Sequence, residues 1–358
     1  MAHAGNWLAR AWRQRGLVAC LLWPASILYG VIFALHRWLY RVGVFKTKRC
    51  AVPVIVVGNV VAGGAGKTPL VIALAKHLQR QGWQVGVVSR GYGRHANNCA
   101  EVLENTPISA SGDEPALIFS ALAAPVFVAN RRIDAARSLL AKYPATQLII
   151  SDDGLQHHAL ARDVEITVFD DRGVGNGWLL PAGPLRERFK TGQLSKKLEP
   201  NPAQSFVKSL ILHTGQSPAF GGYVSSRRLA DNAVASDGHL VRLNDLQCKP
   251  VIALAGIASP DAFFNMLEAR GLQLTQRISL PDHFDFAHYT LPVPTDSTLL
   301  CTEKDAVKLF KMQLSHDVRL LAVPLEFTPE PAFFKALDAL LVQHRPVNLS
   351  VSNRTNGY

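Results

Sequence analysis

Gly63-Gly64-Ala65-Gly66-Lys67-Thr68 follows the apolar run Val52 to Val57 and opens a helical pattern that ends near Gly82. This order of strand, glycine-rich turn and helix decides the reading of the chain. Successive backbone N–H groups in such a turn converge on a phosphate, and the helix start adds partial positive charge. Lys67 can reach the outer phosphates, and the Thr68 hydroxyl can ligate Mg²⁺. The pattern departs from G-x-x-x-x-G-K-[ST], because Val61 stands where the first glycine belongs. Glycine-rich turns also serve as plain tight turns, but the Lys-Thr ending between a strand and a helix points to a nucleoside triphosphate. The nucleotide-binding set is then Val61, Ala62, Gly63, Gly64, Ala65, Gly66, Lys67 and Thr68.

Working outward, Val85 to Val88, Val126 to Ala129, Leu148 to Ser151 and Val164 to Phe169 read as further short strands. Helical patterns such as Asp134 to Tyr143 run between them. Strands alternating with helices predict a P-loop-type, mostly parallel α/β sheet with helices on both faces. In such sheets ligands lie at the carboxyl ends of the strands. The Gly63 loop, Arg90, Arg131 and Asp152 all fall there. A polar, proline-interrupted stretch from Lys190 to Pro202 reads as a linker. Beyond it, strands at Val251 to Gly256, Thr298 to Cys301 and Leu320 to Val323, with a helix from Ser259 to Gly271, predict a smaller second α/β domain.

Several side chains suit phosphate chemistry. Leu148-Ile149-Ile150-Ser151-Asp152-Asp153 ends an apolar strand on carboxylates that can hold Mg²⁺ directly or through water. Asp113 and Glu114 sit in a turn before a helix. There Asp113 can accept a proton from a sugar hydroxyl and Glu114 can extend a metal shell, although acidic residues at a helix start are also stabilised by its dipole. Arg90, Arg94 and Arg131 are candidate ligands for a substrate phosphate, with Arg132, Arg186 and Arg188 as further guanidinium groups. His283 lies beside Asp282. Thr302-Glu303-Lys304-Asp305 is only loosely like the guanine-reading N-K-x-D element and does not imply GTP.

The charge is unevenly spread. Residues 1–100 hold 13 Lys and Arg and no Asp or Glu, whereas the remainder holds 25 against 27. The whole excess of +11 therefore sits at the start of the chain and calls for an anionic partner. Leu17 to Leu35 is free of charge and roughly 28 Å long if helical, close to a bilayer core. Tryptophans and arginines flank it, as they do membrane-facing helices. Pro24, Gly30 and cations on both sides leave a spanning helix and an interfacial one both open. Five scattered cysteines exclude a disulfide framework and a zinc site, and suit a reducing cytoplasm.

Taken in order, Gly58-Asn59 with the Gly63 to Pro69 loop, Ser89 to Arg94, Gly112-Asp113-Glu114-Pro115, Asp152 to His157, Leu180 to Glu187 and Thr302 to Asp305 resemble the tetraacyldisaccharide 4′-kinase family, the lipid A kinases. The resemblance covers most of residues 15–330. It implies transfer of the ATP γ-phosphoryl group to the 4′-hydroxyl of a tetraacylated glucosamine disaccharide 1-phosphate, with Mg²⁺. It also implies a site on the cytoplasmic face of the bacterial inner membrane, reached through the N-terminal segment. By the same resemblance Lys67 and the loop amides bind ATP, and Thr68 with Asp152 or Asp153 holds the metal, assisted by Glu114. Asp113 is the base and His283 its supporting partner.

The expected partners are the lipid A disaccharide precursor and inner-membrane lipids, with no nucleic acid and no obligate protein partner. The expected divisions are a membrane-associated segment 1–48, a nucleotide-binding domain 49–200, a smaller domain 201–345 and a polar tail 346–358. The chief rival is a membrane-associated ATPase switch of the MinD or metallochaperone kind. Such proteins carry a signature lysine where this chain has Ala62.

Overall fold

The computed structural model describes residues 10–94, 96, 98–189, 208–286, 289–312 and 318–344. The chain starts with the helix Leu17–Arg41 and then builds β1 (Val54–Gly58), β2 (Val85–Ser89), β3 (Ala100–Val102), β4 (Val126–Val128), β5 (Leu148–Ser151) and β6 (Val164–Phe169). It continues through β7 (Lys208–His213), β8 (Tyr223–Leu229), β9 (Asn232–Ala235), β10 (Leu240–Arg242), β11 (Pro250–Ala255) and β12 (Gln273–Ser279). The last strands are β13 (Thr298–Thr302), β14 (Arg319–Val323) and β15 (Leu325–Pro329).

Nine strands form one sheet in the order β15-β8-β7-β6-β1-β5-β2-β4-β3, parallel from β8 to β4 and closed by antiparallel edges at β3 and β15. Strand β1 is paired on both edges, by β5 and β6, and helices cover both of its faces, so all five residues are buried. Ile55 and Val57 point to one core, with Leu70, Leu74 and Leu78 of the helix Lys67–Arg80. Val54 and Val56 point to the other, with Ile133, Ala136 and Leu139 of the helix Arg132–Lys142. This period-two split is why parallel strands read as continuous apolar runs. The expected fold class is therefore the observed one.

The second sheet has six strands in the order β10-β9-β14-β13-β11-β12. The structure divides the chain differently from the expected split after residue 200. Strands β7, β8 and β15 belong to the first sheet, and the helix Pro331–Leu341 returns to its core through Phe333, Leu337 and Leu341. The second unit thus spans β9 to β14 and is inserted between β8 and β15, which pair antiparallel from Leu229↔Leu325 to Ser225↔Pro329. Local patterns reveal strands, whereas sheet membership depends on pairing over a hundred residues. The expected linker from Lys190 to Pro202 and the polar tail 346–358 lie outside the described residues.

The helix Leu17–Arg41 is long and apolar enough to cross a membrane by length and composition. One face docks through Ser26 and Tyr29 on the loop between β6 and β7, and through Phe33, His36 and Tyr40 on His158 between β5 and β6. Ser26 Oγ donates to Leu179 O at 2.9 Å and accepts from the Ala182 N–H at 2.8 Å, and Tyr29 Oη donates to Arg186 O at 2.7 Å. A methyl at Gly30 would lie 2.9 Å from Leu179 Cδ1, so the glycine permits this close approach. The opposite face leaves Leu21, Leu28, Val31, Ile32 and Leu35 exposed.

Candidate active site

The loop after β1 is shaped from behind. Five consecutive carbonyls, Val61 to Ala65, each accept a hydrogen bond from a side chain. Asn59 Nδ2 donates to Val61 O at 2.5 Å and to Gly63 O at 2.9 Å. Arg172 donates to Ala62 O and Gly64 O, each at 3.1 Å, while its guanidinium is held by Asp170. Ala65 O takes Thr214 Oγ1 at 2.9 Å and Arg227 at 3.4 Å. With the carbonyls drawn outward, the N–H groups of Gly63 to Thr68 are left without a protein acceptor among the described residues. That is the condition for an anion cradle at a helix start.

Gly66 ends the loop at φ +81°, in the left-handed region, and a Cβ there would strike the Arg227 guanidinium. The positive φ favours glycine at that position, and any larger residue would also have to displace the Arg227 tip. Lys67 follows, buried, with Nζ 3.3 Å from Asn59 Oδ1 and 3.7 Å from Asp153 Oδ1. Thr68 is buried beside it.

The two carboxylates after β5 lead different lives. Asp153, at φ +45°, pairs with Lys67 and with Arg186 at 3.3 Å, and Arg132 donates to its carbonyl at 2.8 Å. Burial pushes its pKa up, but Lys67, Arg186 and Arg132 outweigh it and hold the carboxyl below its ordinary value. Asp152 is fully buried, with Oδ2 accepting from Ser89 Oγ at 3.3 Å and Oδ1 without a hydrogen-bond partner among the described residues. Burial, then repulsion from Glu114 and Asp153, raises it to about 7.

A buried carboxylate oxygen left unpaired is costly unless a ligand completes it. Among the described residues no group of three or more His, Cys, Asp or Glu could hold a metal alone. Asp152 Oδ1 and the nearby threonine therefore suit a cation that takes its remaining ligands from phosphate and water.

Asp113 starts the helix Asp113–Ala121, just after Gly112 at φ +86°. Its Oδ2 receives His283 Nδ1 at 3.1 Å and Lys308 Nζ at 2.7 Å, both from the second unit. Burial raises its pKa, but the His283 and Lys308 hydrogen bonds and charges prevail and lower it overall. Tyr92 lies over the imidazole with ring centroids 5.2 Å apart. The site thus lies where the two sheets meet.

Of the three expected phosphate arginines, Arg90 is exposed at the end of β2 and Arg131 is exposed and pairs with Asp134. Arg94 differs from expectation, because it donates to the carbonyls of Val128 and Asn98 and so braces its own loop. Thr302 to Asp305 is a capping arrangement. The Thr302 hydroxyl accepts from the Asp305 N–H, and the Asp305 carboxylate takes Thr302 Oγ1 and the Gly256 N–H. Asn59 was named only within the Gly58-Asn59 pair, and Arg172, Thr214, Arg227 and Lys308 were not singled out from the sequence. Lys308 stands four residues after Lys304 on one helix, a spacing that offered a signal; Arg172, Thr214 and Arg227 act across long separations and gave none.

A phosphate loop after β1, a buried aspartate after the adjacent β5 and an inward lysine define the P-loop class of nucleotide-binding proteins. Comparison with known proteins narrows the class. The family model for tetraacyldisaccharide-1-P 4'-kinase matches residues 18–342. A tetraacyldisaccharide 4'-kinase of Polaromonas naphthalenivorans is 60% identical over 334 residues, covering 93% of this chain and 94% of that protein. One from Delftia acidovorans is 43% identical, covering 95% and 96%. The crystal structure of LpxK from Aquifex aeolicus in complex with ATP superposes with a TM-score of 0.74 at 28% identity, covering 92% of this chain and 99% of that one. The chain belongs to the tetraacyldisaccharide-1-P 4'-kinase family.

The Asp152 shift has a measurable consequence. A group raised from 3.8 to about 7 binds its proton more tightly when folded, so its contribution to stability falls as pH rises from about 4 to about 7. Without nucleotide, wild type is expected to lose about 2 kcal/mol or more relative to Asp152→Asn across that interval. Melting temperatures of both proteins at pH 5 and pH 8 check this. A constant difference between them would contradict it.

Proposed function

We propose that this protein transfers the γ-phosphoryl group of ATP to the 4′-hydroxyl of a tetraacylated glucosamine disaccharide 1-phosphate, at the cytoplasmic face of the inner membrane. The observation that carries the reading is the pairing of an inward-facing phosphate loop with an aspartate whose second oxygen is unclaimed. Phosphoryl transfer needs positioning and charge neutralisation more than covalent chemistry.

Lys67 and the amides from Gly63 to Thr68 would hold the phosphates. Mg²⁺, held by the Thr68 hydroxyl and Asp152, would supply charge neutralisation there. Asp152 is preferred to Asp153 because Asp153 already pairs with Lys67 and Arg186 while Asp152 Oδ1 has no partner. Glu114 would add negative charge to the same shell. Asp113 would accept the proton of the attacking hydroxyl on Oδ1, since both of its protein donors reach Oδ2. A carboxylate held below its ordinary pKa is ionised at neutral pH and ready for that role. Arg90 and Arg131, both exposed, are the guanidinium groups offered to substrate phosphate. The ATPase-switch reading has no use for a carboxylate held ready for a sugar hydroxyl, and the family does not favour it.

The helix Leu17–Arg41 would lie in the membrane interface rather than cross it, because polar contacts at Ser26, Tyr29 and Arg37 tie one face to the body of the protein. The exposed apolar face would enter the lipid, next to the site that receives an acylated substrate.

With labelled ATP and the acylated disaccharide in detergent, label is expected on the lipid. Lys67→Ala and Asp113→Ala should each reduce turnover about 10²-fold or more. Near-normal turnover by Asp113→Ala would remove it as the base, and ATP hydrolysis indifferent to lipid would favour the switch. For the membrane face, Leu28→Glu with Ile32→Glu alters two side chains that are 62% and 59% exposed, so folding should survive. Co-sedimentation with anionic vesicles should fall by at least about tenfold, given ~1.5–3 kcal/mol for each buried aliphatic side chain. Unchanged sedimentation would contradict the interfacial placement.

A further inference from the structure

The cluster around Asp113 holds more than an aspartate and a histidine. The helix Glu303–Leu309 presents Lys304 and Lys308 four residues apart, one turn of the same face. Lys308 is mostly buried. Its Nζ lies 2.7 Å from Asp113 Oδ2 and donates to Phe284 O at 2.8 Å. One ammonium therefore grips the carboxylate on the first sheet and the loop on the second that carries its other partner. Lys304 Nζ lies 2.6 Å from Asp282 Oδ1 and 3.4 Å from His283 Nε2.

The loop needs such support. His283 sits at φ +61°, a left-handed conformation that strains a non-glycine residue. Asp282 accepts from the His283 N–H at 3.1 Å, and Lys304 holds Asp282 in turn. Lysine can only donate, so His283 Nε2 accepts and the ring hydrogen stays on Nδ1, where it points at Asp113. Both donors then meet the same oxygen, Oδ2, and the carboxylate is turned with Oδ1 away from them. The orientation of the carboxylate is thus set by two bonds rather than one.

We propose that Lys308 is a positioning residue for phosphoryl transfer, fixing Asp113 through Oδ2 and the His283 loop through Phe284 O so that Oδ1 faces the acceptor hydroxyl. Lys304 has the lesser part of holding His283 in its donating tautomer. The inference rests on Asp113 being the group that meets the hydroxyl. Lys308 itself touches neither phosphate nor sugar in this account, so its loss should appear in the chemical step and not in nucleotide binding.

The test uses the full-length enzyme with ATP, magnesium and the acylated disaccharide. Lys308→Met is expected to lower kcat about 30-fold with the KM for ATP within about threefold of wild type. Lys308→Arg, which keeps charge and donors, should recover most of that loss. In an Asp113→Ala background Lys308→Met should cost nothing further, because the two residues act as one unit. If Lys308→Met lacks a cooperative melting transition, Lys308→Gln takes its place against Lys308→Arg and is read in the same way.

A kcat within twofold of wild type for the neutral variant, beside a 10²-fold loss for Asp113→Ala, would overturn this inference and leave the base intact. An undiminished additional loss in the Asp113→Ala background would also overturn it. Near-normal turnover by Asp113→Ala would mark the failure of the underlying reading instead.

Discussion

The carbonyls of Val61 to Ala65 are drawn away from the nucleotide side by Asn59, Arg172, Thr214 and Arg227. A peptide group whose oxygen is held on one side presents its hydrogen on the other, so these bonds fix the direction of the loop amides. The remaining features of the site depend on that orientation. Lys67 and Thr68 enter the helix in register with it, and Asp152 and Asp153 meet them from the neighbouring strand. The donors come from the β1 end, the loops after β6 and β7, and strand β8. The first sheet therefore acts as a frame for one loop.

Strand β8 has a second task. It carries Arg227 to the phosphate loop and pairs with β15, and this antiparallel pair forms the connection to the six-stranded sheet. The inserted sheet delivers His283 and Lys308 to Asp113. The phosphate loop and Asp113 thus stand on one side of a boundary and His283 and Lys308 on the other, with one ribbon joining the two. The N-terminal helix completes the arrangement on the third side by docking on the loop that ends at Arg186 and Glu187, next to Asp153.

Much of this was legible from local signals. The Gly63 to Thr68 loop announced itself because a strand, a glycine turn and a helix start leave marks in a dozen residues. Asp152 was legible for the same reason, lying at the end of an apolar strand. The insertion of the second sheet was not, since β15 and the helix Pro331–Leu341 find partners a hundred residues away. Arg172 and Arg227 look like ordinary surface cations in the sequence; only the folded chain brings their guanidinium groups behind the loop. Arg94 illustrates the converse, a cation in a promising motif that folding commits to its own backbone. Asp113 and His283 came together only through resemblance, because 170 residues separate them.

The most direct measurement is a structure with a non-hydrolysable ATP analogue, magnesium and the acylated disaccharide bound. The account requires the β- and γ-phosphates among the amides of Gly63 to Thr68, the metal on Thr68 and Asp152, and the 4′-hydroxyl within hydrogen-bond reach of Asp113 Oδ1. A triphosphate bound elsewhere, or a hydroxyl directed at a different side chain, would contradict it.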